Sequence, residues 1–284
     1  MCDDEIHVGR IDGGFTRRAF GITAAAAAGA LPAWAQAEVV EKVVEVKTPD
    51  GVADGFLIRP AARGTYPAVL FWPDGGGLRG VIVDMAKRLA AAGYVVLTPN
   101  PFYRTGRAPV FPSPIDFSQP EFRARFMAAR GLITEAGLDS DILAYLAFLD
   151  AQPQTDRRRK AGVQGYCMSG AMAFRAAALL PDRIAAVASF HGGGLVTKEP
   201  SSPHLLIPKT RARFLVGIAQ NDDKQQPEAK DVLRAAFSAA GRPAMVEVYP
   251  ADHGWCVPGS QVYNEQAAEK AWAELTRLYK EALV

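Results

Sequence analysis

Ala161-Gly162-Val163-Gln164-Gly165-Tyr166-Cys167-Met168-Ser169-Gly170 is the stretch whose reading decides the fold. Small apolar residues lead in, and the helix-forming run Ala171-Met172-Ala173-Phe174-Arg175-Ala176-Ala177-Ala178 leads out. A strand that turns sharply into a helix needs residues without bulk around the turn. Gly165 and Ser169 flank Cys167 at i−2 and i+2, the spacing of a nucleophile elbow. That geometry lifts one side chain above the sheet and aims the next backbone N–H, Met168, at whatever the side chain attacks. Ser169 stands where a second glycine is usual, and Gly170 follows one place later. The plainer reading is a buried structural cysteine at a strand end, since free cysteine is often buried.

A thiol nucleophile needs a base, and the base needs an orienting carboxylate. On sheets with such an elbow they follow in the order nucleophile, acid, histidine. Three histidines come after Cys167: His191, His204 and His253. His253 sits in Ala251-Asp252-His253-Gly254, just past the strand-like run Ala244-Met245-Val246-Glu247-Val248-Tyr249, where a base is delivered. His191 follows Val187-Ala188-Ser189-Phe190 and is expected to line the pocket floor, contacting substrate. His204, in a Pro- and Ser-rich connection, reads as ordinary surface. The acid should end the strand Arg213-Phe214-Leu215-Val216-Gly217-Ile218-Ala219, which Gln220-Asn221-Asp222-Asp223 caps. Counting from the strand favours Asp222, and counting back from the helix expected at 227–240 favours Asp223. Both aspartates therefore stand as candidates, and one of them is an ordinary acid near a helix N-terminus.

Taken together these residues resemble the dienelactone hydrolase family of α/β-hydrolases. The resemblance runs from about residue 43 to the C-terminus and is most specific at Gly165-Tyr166-Cys167 through Gly170, Asn221-Asp222-Asp223 and His253-Gly254. It implies an α/β-hydrolase fold and a Cys-Asp-His triad that cleaves lactones and related esters. Those roles fall on Cys167, Asp222 or Asp223, and His253. It also implies an acidic residue after an early strand, in contact with the resting thiol. Asp74 takes that place, in Pro73-Asp74-Gly75-Gly76-Gly77-Leu78, with a shorter arm than the family's glutamate. The oxyanion would be held by the N–H of Met168 and one from this glycine loop, Gly75. The family binds a substrate carboxylate through arginines, one of which matches Arg104. A second, expected shortly after the histidine, is absent from Trp255-Cys256-Val257-Pro258, which leaves the reaction intact and the substrate open. The scheme needs no metal or organic cofactor, only a small-molecule ester or lactone. Gly75, Gly76 and Gly77 lack the following Lys-Ser/Thr pair of a phosphate loop.

The chain of 284 residues is 49% hydrophobic and 22% charged, with a formal net charge of +2. That suffices for one sizeable α/β domain and is too balanced to imply a nucleic-acid partner. Residues 1–37 read as a separate object: Thr16-Arg17-Arg18-Ala19-Phe20 precedes an alanine-rich apolar stretch, with small residues for cleavage after Ala35 or Ala37. This is the pattern of a twin-arginine export signal, so the mature protein, 38–284, is expected in the periplasm or outside the cell, delivered by the twin-arginine machinery. So short and alanine-rich a run makes a poor membrane span. Cys256, three residues past His253, is expected to fill the side of the pocket; a reversible disulfide with Cys167 is the lesser alternative.

Residues 39–46 and 55–59 read as a hairpin across Thr48-Pro49-Asp50-Gly51. Strands then alternate with helices, which argues for a mostly parallel central sheet with helices on both faces. Helices are expected at 83–92, 135–150 and 264–283. The Pro-rich segment 108–120 breaks the alternation and is expected to cross the pocket mouth. A catalytically silent exported binding protein on the same scaffold is the alternative function, because fold alone does not fix activity. A thiol redox protein is disfavoured by the lack of a Cys-x-x-Cys pair.

Overall fold

Residues 37–284 are described in a computed structural model of the chain. The expected export signal, 1–37, lies outside them except for Ala37. The hairpin forms as read: β1 (Val39–Thr48) pairs antiparallel with β2 (Gly51–Pro60), with Thr48 opposite Gly51. Six further strands follow: β3 (Ala68–Trp72), β4 (Val95–Pro99), β5 (Ala161–Tyr166), β6 (Ile184–Phe190), β7 (Arg213–Ala219) and β8 (Ala244–Tyr249). They form one eight-stranded sheet in the order β1-β2-β4-β3-β5-β6-β7-β8. From β4 to β8 every pairing is parallel, while β2 meets β4 antiparallel.

Period-two alternation divides the core between the two faces of this sheet. In β3 all five residues are buried. Leu70 and Trp72 face one layer, whereas Val69 and Phe71 face the other. Burying each such side chain stabilises the fold by about 1.5–3 kcal/mol. The first layer holds α3 (Glu135–Asp150), α4 (Ser169–Leu179) and α7 (Ala229–Ala239); the second holds α1 (Gly80–Ala91) and α8 (Glu265–Ala282). Thr134 caps α3, its side chain accepting from Gly137 N, and Asn264 caps α8, accepting from Ala267 N. Side-chain caps of this kind fix where a helix begins.

Two shorter helices, α5 (Pro203–Leu206) and α6 (Gln220–Gln225), lie in connections, and α2 (Pro120–Gly131) follows the Pro-rich segment. The sequence reading did not anticipate α2. Its core-facing positions, Phe122, Phe126 and Ala129, lie among Ala124, Met127 and Ala128, which blurs the helical period in the sequence. α1 starts at Gly80, before the expected residue 83, and Ile82 in its first turn is already buried. Among the described residues no helix is long and apolar enough to cross a membrane.

Parallel strands put the loops after β3, β5, β6, β7 and β8 at one edge of the sheet. That edge, beside a change in strand order, is where open α/β sheets form their sites.

Candidate active site

β5 ends at Tyr166, and Cys167 turns the chain with φ 55° before α4 starts at Ser169. The turn is so tight that a Cβ on Gly165 would stand 2.1 Å from the Ser169 carbonyl oxygen. A Cβ on Gly170 would stand 2.3 Å from Ser189 Oγ, so the close packing of α4 falls to Gly170. Ser169 does different work from a glycine. Its buried Oγ accepts from Tyr166 N–H at 2.9 Å, and lies within donating distance of Tyr166 O at 2.9 Å and Trp72 O at 3.2 Å. The hydroxyl thus pins the elbow from inside. Cys167 itself is half-buried at the start of α4, where the helix dipole favours negative charge.

The loop after β8 carries His253. Its Nδ1 lies 2.7 Å from Asp222 Oδ2, and its backbone N–H donates to Asn221 Oδ1 at 2.8 Å. With Nδ1 turned to the carboxylate, Nε2 is left for the thiol side. Burial works against a charge on this imidazole, but hydrogen bonds to Asp222 and to Cys167, with their charges, outweigh it and raise His253 to about 10. Cys167, His253 and Asp222 therefore form one electrostatic unit. The neighbouring Asp223 is turned elsewhere, 2.7 Å from Lys230 Nζ. The sequence placed Asn221 in a strand cap and in the Asn221-Asp222-Asp223 stretch of the family resemblance, with no role of its own. Nothing in its local motif signals that it joins the acid's helix to the histidine's loop.

His191 is almost fully buried, at 1% exposure. Its Nδ1 accepts the backbone N–H of Cys167 at 3.1 Å, and its ring centroid lies 4.7 Å from that of His253. It was expected on the pocket floor against substrate; the structure sets it against the elbow's backbone instead.

The glycine loop after β3 is organised by Asp74. Its Oδ1 accepts from Gly76 N–H at 2.9 Å, its carbonyl accepts from Gly77 N–H, and its carboxylate pairs with both terminal nitrogens of Arg79 at 2.5 and 2.9 Å. The carboxylate is thus committed to its own loop rather than to a resting thiol. Residues 108–120 do reach this loop: Phe117, with Phe126 of α2, comes within about 3 Å of where a Cβ on Gly75 would stand. Met168 is the N-cap of α4. It lines a cavity of about 370 Å³ together with Met127, Leu138, Met172 and the charged Arg130, Glu135 and Arg175.

Arg104 is fully occupied inside the molecule. Its guanidinium reaches Asp141 at 2.8 Å and Asp50 at 2.6 Å, and it stacks on the Tyr103 ring at 4.5 Å. These contacts hold its proton more tightly than usual against the opposing effect of burial. The residue expected to receive a substrate carboxylate is already satisfied by two protein carboxylates. Both acids lie far away in sequence, which is why local reading missed them. Cys256 is a buried free thiol whose ionisation burial pushes upward. It faces the α1–α8 layer, on a separate cavity of about 310 Å³ with Tyr166 and Phe190.

Known proteins agree with this architecture. The sequence profile of the dienelactone hydrolase family matches residues 53–283. A carboxymethylenebutenolidase of Pseudomonas sp. strain P51 is 28% identical over 230 residues, covering 80% of this chain and 89% of that protein. Among solved structures, a dienelactone hydrolase-like promiscuous phosphotriesterase from metagenomic libraries superposes with a TM-score of 0.71 at 22% identity, covering 87% of this chain and 99% of the other. The dienelactone hydrolase of Anabaena variabilis gives 0.57 at 17% identity, covering 87% and 99%. At these identities the solved structures speak to the fold alone, an α/β-hydrolase fold.

Proposed function

The chain belongs to the dienelactone hydrolase family, whose members are hydrolases of ester and lactone bonds, and we propose that Cys167 is its nucleophile, His253 its base and Asp222 the acid that orients the base. The observation that carries this reading is the 2.7 Å contact of Asp222 Oδ2 with His253 Nδ1, on an imidazole whose proton Asp222 and Cys167 both help to hold.

The thiolate is the attacking form of cysteine. His253 takes the thiol proton at Nε2, and Asp222 stabilises the imidazolium through Nδ1–H. Cys167 Sγ adds to the carbonyl carbon, and the carbonyl oxygen gains the negative charge. Met168 N–H at the head of α4 and Gly75 N–H in the loop after β3 serve as its donors. The tetrahedral adduct collapses to a thioester as the C–O bond breaks, and the departing alkoxide takes the proton from His253. In a lactone that alkoxide stays attached as the far end of the opened ring. Water then attacks the thioester with His253 as base, releasing the carboxylic acid and restoring the thiol.

The groove beside Met168 and Met172 mixes apolar side chains with Arg130, Glu135 and Arg175, so a substrate arm lying in it would meet both kinds of surface. Turnover of aryl esters and lactones by the wild type and by Cys167→Ala tests the reading. Loss of turnover in the variant, with an acyl adduct on Cys167 visible by mass in the wild type, is the expected result. Activity retained in Cys167→Ala sinks it, and a wild type inert toward every ester tried favours the silent binding protein.

We further propose that residues 1–37 direct export through the twin-arginine machinery to the periplasm or the medium. The support is the Arg17-Arg18 pair ahead of its alanine-rich stretch. Fractionation of cells expressing the full chain and an Arg17→Lys, Arg18→Lys variant tests this; equal cytoplasmic retention of both is the contrary outcome.

A further inference from the structure

Among the described residues, two that are not glycine adopt a left-handed backbone: Cys167 at φ 55° and His191 at φ 40°. They are bonded to one another, Cys167 N–H donating to His191 Nδ1 at 3.1 Å. Backbone strain at non-glycine residues persists only where the surroundings over-determine it, and it gathers at functional sites. At Cys167 the elbow explains it. At His191 a glycine or asparagine would adopt the same backbone more readily, so the imidazole must supply something a glycine lacks.

The end of β6 grips the nucleophile's peptide from both sides. Phe190 O shares the Cys167 N–H at 3.1 Å, and Gly193 N–H donates to Cys167 O at 3.3 Å. His191 is itself held by its own N–H, which donates to Gly217 O at 2.7 Å. Because Nδ1 accepts a backbone N–H, the neutral ring carries its proton on Nε2. That nitrogen is buried and has no hydrogen-bond partner among the described residues. The ring packs against His253 at 4.7 Å, Trp255 at 5.2 Å and Tyr166 at 6.0 Å. The titratable groups facing it are thus Cys167, His253 and Tyr166. Burial, with the neighbouring charge of His253, keeps His191 well below the ordinary histidine range and hence neutral. A second imidazole that stays neutral leaves proton transfer to His253 alone.

We propose that His191 is a positioning residue: its Nδ1 holds the Cys167 peptide in the left-handed turn that presents the sulfur, and its ring is the wall on which His253 rests. The inference depends on Cys167 being the nucleophile, as proposed above.

His191→Gly accepts the backbone angle and removes the imidazole acceptor, leaving Phe190 O as the other acceptor of the Cys167 N–H. His191→Asn accepts the angle and returns an acceptor oxygen near the position of Nδ1. Two rates are read in folded protein: ester turnover, and alkylation of Cys167 by iodoacetamide located by peptide mass. In His191→Gly, kcat falls about ten-fold with KM changed less than two-fold, matching the loss of one hydrogen bond that positions the nucleophile's peptide. Alkylation of Cys167 changes rate in the same variant, and His191→Asn recovers several-fold in both. If His191→Gly does not fold, His191→Ser, whose hydroxyl is too short to reach, takes its place in the comparison. A purely structural histidine would lower the melting temperature while leaving both rates of the folded fraction alone, and that result overturns the proposal. So does an asparagine variant no faster than the glycine one. A wild type that stays active after complete alkylation of Cys167 overturns the nucleophile and this inference together. An alkylation-sensitive wild type with an unaffected His191→Gly overturns this inference only.

Discussion

Asn221 Oδ1 accepts the backbone N–H of His253 at 2.8 Å, so the helix bearing the acid and the loop bearing the imidazole are joined by a bond separate from the acid's own. The same oxygen also accepts Asp222 N–H at 3.1 Å. One amide side chain thereby sets both the height of the histidine loop and the start of the turn that aims Asp222.

Asn221→Ala should therefore lower kcat about ten-fold through misplacement of His253, while Asp222 and His253 are both still present. Steady-state kinetics beside a thermal melt check this. A variant with wild-type kcat would mean that the loop holds its position without the amide.

The two neighbouring aspartates should behave very differently. Asp222→Asn keeps the shape but presents an amide to Nδ1, and losses on the order of 10⁴ in kcat follow such a change in a comparable triad. Asp223→Asn removes only the partner of Lys230, a partly exposed pair worth about 1 kcal/mol or less. Its kcat should stay within two-fold of wild type. Measured side by side, equal losses in the two variants would contradict the assignment.

The raised imidazole predicts a particular pH dependence. His253 must be protonated to give its proton to the leaving alkoxide during acylation, so kcat/KM should hold through neutral pH and fall as pH passes about 10. In Asp222→Asn that alkaline limb should move down by a unit or more. Stability carries the same sign. A group whose folded pKa lies above its unfolded value of about 6.5 contributes fully below that pH, and the contribution is lost as pH rises through about 10. Denaturant melts from pH 6 to 10.5, wild type against His253→Gln, should show the difference shrinking toward the alkaline end.

Arg104→Ala should act on stability far more than on substrate choice. Asp141 is 3% exposed and already held toward its neutral form by burial, with Arg104 opposing that. Removing the arginine leaves this carboxylate without its cation, held by the Tyr103 hydroxyl at 2.7 Å, and breaking a buried pair costs about 3–5 kcal/mol. Urea denaturation measures the loss. The ratio of kcat/KM for carboxylated and neutral esters should change less than two-fold; a selective loss on carboxylated esters would instead restore Arg104 as a substrate ligand.

Gly165→Ala tests the elbow's geometry directly. The new methyl would lie 2.1 Å from Ser169 O, a backbone atom that cannot swing aside. The variant should be insoluble or melt far below wild type, whereas Gly106→Ala, where nothing lies within 4 Å, should be benign. Soluble, active Gly165→Ala protein would show that the turn has more room than this packing allows.

The sequence alone carried the elbow, the order of thiol, acid and histidine, and the alternation of strands with helices. These are local matters. A turn needs its small residues next to the turning one, and a strand or helix writes its period into its own side chains. The tertiary structure decided what depends on direction and on distant partners. Asp222 and Asp223 are adjacent on the short α6, where successive side chains diverge by about 100°, so only the fold selects which one meets His253. Arg104 looks like an anion ligand until Asp50 and Asp141, from two remote segments, arrive to neutralise it. His191 became part of the elbow only when β6 was laid beside β5, because a hydrogen bond to a neighbouring strand's backbone leaves no trace in either strand's own residues.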